Sequence, residues 1–132
     1  MYNSIISIKK LFKALISNKE FNFNYSNSNN IFFISKTKYS LALLYYLRKI
    51  EYKKEKINYW LPDYFCNESL FFLRNKNVNI IFYDINENLQ PNYSSFKLLI
   101  EKHGDPDIFV LTHYFGLSCC NPQIKEFCKS KK

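Results

Sequence analysis

The segment Ile57 to Ile85, INYWLPDYFCNESLFFLRNKNVNIIFYDI, constrains the fold more than any other part of the chain. Ile57 to Leu61 is a short apolar run with aromatics, stopped by Pro62, which has no N–H to give to a sheet ladder. Cys66 to Arg74, with Phe65 just before it, sets Leu70, Phe71 and Leu73 on roughly one side, which predicts a helix. Asn75-Lys76-Asn77 breaks that pattern, and Val78 to Tyr83 is a second apolar, β-branched run. A strand, a helix and a strand within about thirty residues make the size of one βαβ crossover. Both strands read as apolar on both faces, which predicts a parallel sheet covered by helices on each side.

The rest of the chain repeats this pattern. Ile31 to Ile34 is expected as a strand, leading through Ser35-Lys36-Thr37 into a helix over Lys38 to Ile50. Tyr93 to Lys102 is a further amphipathic helix with Phe96, Leu99 and Ile100 on its core side, ended by Gly104-Asp105-Pro106. Ile108 to Thr112 reads as a strand running into His113-Tyr114-Phe115-Gly116. Pro122 to Ser130 is a last helix, with Asn121 as its N-cap. Four βα repeats predict an α/β fold with a mainly parallel sheet and right-handed crossovers. Ahead of them, Ser4 to Ser17 spaces Ile5, Ile8, Phe12, Leu15 and Ile16 between lysines, an amphipathic helix read as a packing arm. Its apolar face is short and lacks Trp, which argues against a membrane-surface role. Asn18 to Asn30 is a loop of low complexity. The expected division is therefore residues 1–30, a helix and an Asn-rich loop, and residues 31–132, the domain.

At 132 residues the chain has the length of one domain. No apolar run approaches the roughly 18 residues that span a bilayer, and the N-terminus has no clean apolar stretch of a signal peptide, so a cytoplasmic location is expected. The formal net charge is +8. Abundant Lys, Asn, Ile, Tyr and Phe together is what A+T-rich coding sequence produces, and the lysines are dispersed along the chain. A solvated basic surface is the expectation, rather than a nucleic-acid partner. The cysteines are Cys66, Cys119, Cys120 and Cys128, with no CxxC pair, and reduced thiols are expected. The set His113, Cys119, Cys120 and Cys128 fits no common zinc spacing, so no metal is expected.

In parallel sheets ligands sit outside the carboxyl ends of the strands. Those ends carry Ser35-Lys36-Thr37, Asp63-Tyr64-Phe65-Cys66, Asp84 and His113-Tyr114-Phe115. The Ser35–Thr37 turn suits a phosphate, with free backbone N–H groups and a hydroxyl at a helix start. It equally suits plain capping by Ser35 or Thr37.

Four pieces, SKTKYSLALLYYL, INYWLPDYFCNESL, NVNIIFYDINENLQPNYSSF and IFVLTHYFGL, resemble in order and spacing one family over Ile31 to Ser130. It is the DegT/DnrJ/EryC1/StrS sugar aminotransferases, pyridoxal-phosphate enzymes that mostly aminate keto-sugars attached to nucleotides. The resemblance implies the N-terminal part of a fold type I (aspartate aminotransferase-like) large domain. It also implies pyridoxal 5'-phosphate as cofactor, a nucleotide-linked or free keto-sugar and an amino donor as substrates, a homodimer, and a role in polysaccharide or cell-surface glycan synthesis such as lipopolysaccharide. At matched positions, Ser35, Lys36 and Thr37 would hold the cofactor phosphate, Phe65 or Cys66 would lie against the pyridine ring, and His113 would stand at the neighbouring strand end.

Two positions depart from the family. Lys36 replaces the Gly of its loop, which is strained if the backbone there needs a positive φ, and a lysine there would equally pair with the phosphate. Cys66 stands where many members carry an aromatic ring. In the family the Asp at the pyridine nitrogen and the lysine that binds the cofactor follow the helix that starts at Pro122, and no lysine here matches by motif. The resemblance thus implies a truncated sheet, no catalytic residue, and a chain that does not work as an enzyme alone. The other reading is a small basic α/β module that binds nucleic acid or an acidic partner.

Overall fold

The computed structural model describes residues 34–117 and 122–130. The chain divides into two units, and the second, Ser35–Lys132, holds every element named below. In chain order these are α1 (Thr37–Tyr52), β1 (Ile57–Pro62), β2 (Val78–Tyr83), α2 (Phe96–His103), β3 (Ile108–Phe109) and α3 (Pro122–Ser130). The expected helix of Ser4 to Ser17, the Asn-rich loop, the strand Ile31 to Ile34 and the Asn121 cap lie outside the described residues, Ile34 itself excepted.

The three strands form one open parallel sheet in the order β2-β1-β3. β1 is central because it is the strand whose both faces are apolar. Its odd positions, Ile57, Tyr59 and Leu61, pack with Leu41 and Tyr45 of α1 and with Leu70, Leu73 and Ile108. The even position Trp60 packs on the other side with Ile81, Tyr83, Phe96 of α2 and Ile124 and Phe127 of α3. Alternation at period two thus loads two separate cores from one strand. Every fully buried large side chain here contributes roughly 1.5–3 kcal/mol. The architecture is α/β with helices on both faces of a small parallel sheet.

Three expectations are corrected. The helix expected over Cys66–Arg74 is instead a 3-10 turn, Asn67–Leu70, followed by further turns. Leu70 and Leu73 are its buried pair, and their spacing of three matches the 3-10 period, whereas Phe71 points to solvent. Asn67 and Ser69 are poor helix-interior residues, and Arg74 ties the turn by donating to the Asn67 carbonyl and side chain at 3.2 and 2.9 Å.

The strand expected over Ile108–Thr112 keeps only Ile108 and Phe109 in the ladder. The Val110 N–H still donates to the Trp60 carbonyl at 2.9 Å. The next rung requires an N–H on Pro62, which has none. The Val110 carbonyl accepts from the Tyr83 hydroxyl at 2.7 Å instead, and the chain leaves the sheet. β2 is also less apolar than expected: as an edge strand it leaves Phe82 about half exposed.

Tyr59 has a consequence for stability at high pH. Its ring is fully buried and its hydroxyl donates to the Leu41 carbonyl of α1 at 2.7 Å. Burial, and secondarily the neighbouring Tyr45, push its pKa far above the ordinary 10.0. The folded state therefore holds this proton when the unfolded chain has released it. Its contribution is complete below pH 10 and is lost above it, at up to about 1.4 kcal/mol per pH unit. Chemical denaturation across the alkaline range is expected to show this fall in the parent protein and a shallower fall in Tyr59→Phe. Equal slopes would show that Tyr59 does not control it.

Candidate functional site

A cleft of 580 Å³ opens at the carboxyl ends of β1 and β3, beside the start of α1. One wall comes from the segment after β1, where Asp63 N–H continues the ladder to the Tyr83 carbonyl at 2.9 Å and the chain then turns away. The Asp63 carboxylate accepts from Tyr64 N–H at 2.8 Å and shapes that turn. Tyr64, Phe65, Cys66 and Ser69 follow on the cleft surface. The opposite wall is the segment released from β3, Val110 to Tyr114.

The two walls are tied together. The Tyr114 hydroxyl donates to the Tyr64 carbonyl, and the two rings lie 5.5 Å apart. The chain then reverses through Phe115 at φ 52° and Gly116 at φ 78°. A left-handed conformation at a phenylalanine is strained by roughly 1–2 kcal/mol, and the surrounding turn has to hold it.

The third side is the N-terminus of α1. Lys36 is the N-cap, at φ −148° and ψ 139°, and no side chain caps the helix. The extended backbone means that a lysine in place of glycine carries no strain here. Neither the Ser35 nor the Thr37 hydroxyl makes a cap hydrogen bond, and the Lys36 carbonyl accepts from the Tyr39 and Ser40 N–H groups. The N–H groups of Thr37 and Lys38 have no acceptor among the described residues. Open first-turn amides carry partial positive charge.

Of the six residues singled out from sequence, Thr37, Phe65, Cys66 and His113 line this one cleft. Ser35 and Lys36 are exposed beside it and are not on its lining. The sequence places Tyr64 and Tyr114 at strand ends without a role for either, and singles out neither Thr112 nor Ser69. The rule that ligands sit at strand ends reaches the first three, since each directly follows β1 or β3. Ser69 had no signal, because its placement comes from the 3-10 turn.

Among the described residues no Asp, Glu, Lys or Arg lines the cleft, whose polar side chains are hydroxyls, the Cys66 thiol and the His113 imidazole. Cys66 is an exposed free thiol. Among the described residues no three His, Cys, Asp or Glu side chains converge as a metal site; Cys119 and Cys120 lie outside them. Nor is any described helix long and apolar enough to cross a membrane.

These features define an α/β domain with a small open parallel sheet and a ligand-sized cleft at the strand carboxyl ends. Neither a protein-family model, nor a curated protein, nor a solved structure matches the chain.

Proposed function

We propose that this cleft is the phosphate-and-ring half of a pyridoxal-phosphate site. The domain would be the N-terminal part of a fold type I large domain, from an aminotransferase that acts on nucleotide-linked keto-sugars in glycan synthesis. One observation carries the reading. Thr37, Phe65, Cys66 and His113 come from three separate motifs of the resemblance, and all four line one cleft.

The residues present suit two parts of the cofactor. The Thr37 hydroxyl and the open amides of Thr37 and Lys38 suit its phosphate, a ready anion site with no carboxylate among the described lining residues to oppose it. Half-buried Phe65 supplies an apolar ring surface on the same cleft, whose volume lies within the roughly 300–1,000 Å³ of small-ligand sites. Two parts have no counterpart among the described residues: no lysine of theirs lines the cleft to bind the cofactor covalently, and no carboxylate lines it to meet the pyridine nitrogen. When bound, the cofactor supplies an electron sink for amino-group chemistry. These residues would orient it, with Phe65 excluding water from one ring face and the Thr37 hydroxyl and the Thr37 and Lys38 amides donating hydrogen bonds to its phosphate.

The test is a titration with pyridoxal phosphate and, separately, inorganic phosphate, followed by amide NMR. Thr37 and Lys38 are expected to shift with both ligands at millimolar concentration. Phe65→Ala is expected to weaken pyridoxal phosphate about tenfold while leaving inorganic phosphate unchanged, since ring contacts of this kind are worth roughly 1–1.5 kcal/mol. Unshifted Thr37 and Lys38 amides would refute the reading.

A further inference from the structure

We propose that Tyr64, held by Tyr114 at the wall of the cleft, is the stacking seat for the nucleobase of a nucleotide-linked substrate. This rests on the cofactor reading above and assigns a part of the cleft that the cofactor leaves open. Three aromatic rings line the cleft: Tyr64, Phe65 and Tyr114. The cofactor takes Phe65 and the Thr37 end, so Tyr64 and Tyr114 are the rings left to a second ligand. Tyr64 is 62% exposed and belongs to neither core. Its ring centre lies 5.5 Å from that of Tyr114, with the planes tilted by 40°. Tyr114 therefore covers at most one face of Tyr64, and a ring face stays open.

The pair is fixed from both walls. Tyr64 N–H donates to the Asp63 carboxylate at 2.8 Å, and the Tyr114 hydroxyl donates to the Tyr64 carbonyl. The turn that follows Tyr114 holds Phe115 at φ 52° and leaves that side chain 83% exposed, so burial of Phe115 does not offset its strain. Strain of this kind collects at ligand sites, where a fixed geometry is used.

The lining chooses between the two neutral parts of such a substrate. A sugar presents neighbouring hydroxyls, which planar carboxylate, amide or guanidinium groups hold two at a time. No Asp, Glu, Asn, Gln or Arg stands among the described lining residues. They offer single hydroxyls instead, at Ser69 and Thr112, beside ring faces. A base is served by that combination. Its face stacks on tyrosine, worth roughly 1–3 kcal/mol for any base, and its polar edge meets hydroxyls that both donate and accept.

The experiment is an NMR titration with adenosine and uridine, and with methyl glucoside as the sugar probe. The nucleosides carry no phosphate, so their result is read apart from the phosphate titrations. Both are expected to bind saturably in the millimolar range and to shift the amides of Tyr64, Thr112 and Tyr114, which methyl glucoside leaves in place. Tyr64→Ala should weaken nucleoside binding about tenfold and Tyr64→Phe should retain it, because the ring face is what the base uses. Phe71→Ala, which removes an exposed ring outside the cleft, should change nothing. Saturation with pyridoxal phosphate should leave the nucleoside affinity unchanged. Five results would each overturn the proposal: no nucleoside binding, methyl glucoside bound as tightly, no loss from Tyr64→Ala, an equal loss from Phe71→Ala, or displacement of the nucleoside by pyridoxal phosphate. Failure of the cofactor reading shows elsewhere, as Thr37 and Lys38 amides that pyridoxal phosphate does not shift.

Discussion

Trp60→Ala is expected to remove about 3–5 kcal/mol of stability, a large part of the roughly 5–15 that holds a domain together. Trp60 is fully buried at the middle of the central strand, with Phe96 edge-on at 5.6 Å and Phe127 stacked at 6.0 Å. The residues around it come from β2, α2 and α3, so the cavity left by alanine cannot close without moving three elements. Its indole N–H is buried and finds no hydrogen-bond partner among the described residues; a donor left so costs roughly 1–3 kcal/mol. Trp60→Phe keeps most of the ring and removes the orphaned donor. It is therefore expected to cost under about 1.5 kcal/mol, far less than alanine. Urea denaturation followed by circular dichroism measures both; fluorescence does not serve, because Trp60 is the single tryptophan. Equal losses for Phe and Ala would mean that the N–H has an acceptor and that the packing account is wrong.

Asp107→Ala is expected to be the next largest loss, about 2–3 kcal/mol. The carboxylate sits just before β3 and its side chain is 7% exposed. One oxygen accepts from the Asn58 N–H at 2.8 Å, and the other pairs with Lys54. Its own N–H donates to the Asn58 carbonyl at 3.0 Å, so the residue clamps the amino end of β1 to β3, a ladder only two residues long. Alanine leaves the Asn58 N–H without an acceptor. Lys54→Ala should cost under about 1 kcal/mol, because that ammonium is half exposed and screened by solvent. Asp107→Asn keeps an oxygen for Asn58 and should fall between. Thermal melts of the three variants give the order; a Lys54→Ala loss as large as that of Asp107→Ala would place the energy in the ion pair instead.

Legibility from sequence varied with the kind of signal. The strands β1 and β2 were readable because apolar runs between breakers mark them, and α1, α2 and α3 because their buried residues recur at helical spacing. The turn after Cys66 was misread: Leu70, Phe71 and Leu73 fit a helix on spacing alone. What separates the cases is that Phe71 faces solvent, and periodicity does not report exposure. Four of the six candidate residues, Thr37, Phe65, Cys66 and His113, line one cleft, because the carboxyl ends of parallel strands open onto a common space.

By itself the sequence determined β1, β2, the three helices and the parallel pairing of β1 with β2, because backbone donors and side-chain alternation are local properties. It also determined, through Pro62, where the β1–β3 ladder must stop, though this became visible only once Val110 was seen beside it. Tertiary structure alone decided the rest: that residues as distant as Thr37, Cys66 and His113 share one cleft, and that α1 starts without a side-chain cap. Each of these depends on strand order and on which face a helix covers. Those are set by the summed burial of two cores rather than by any one segment of the chain.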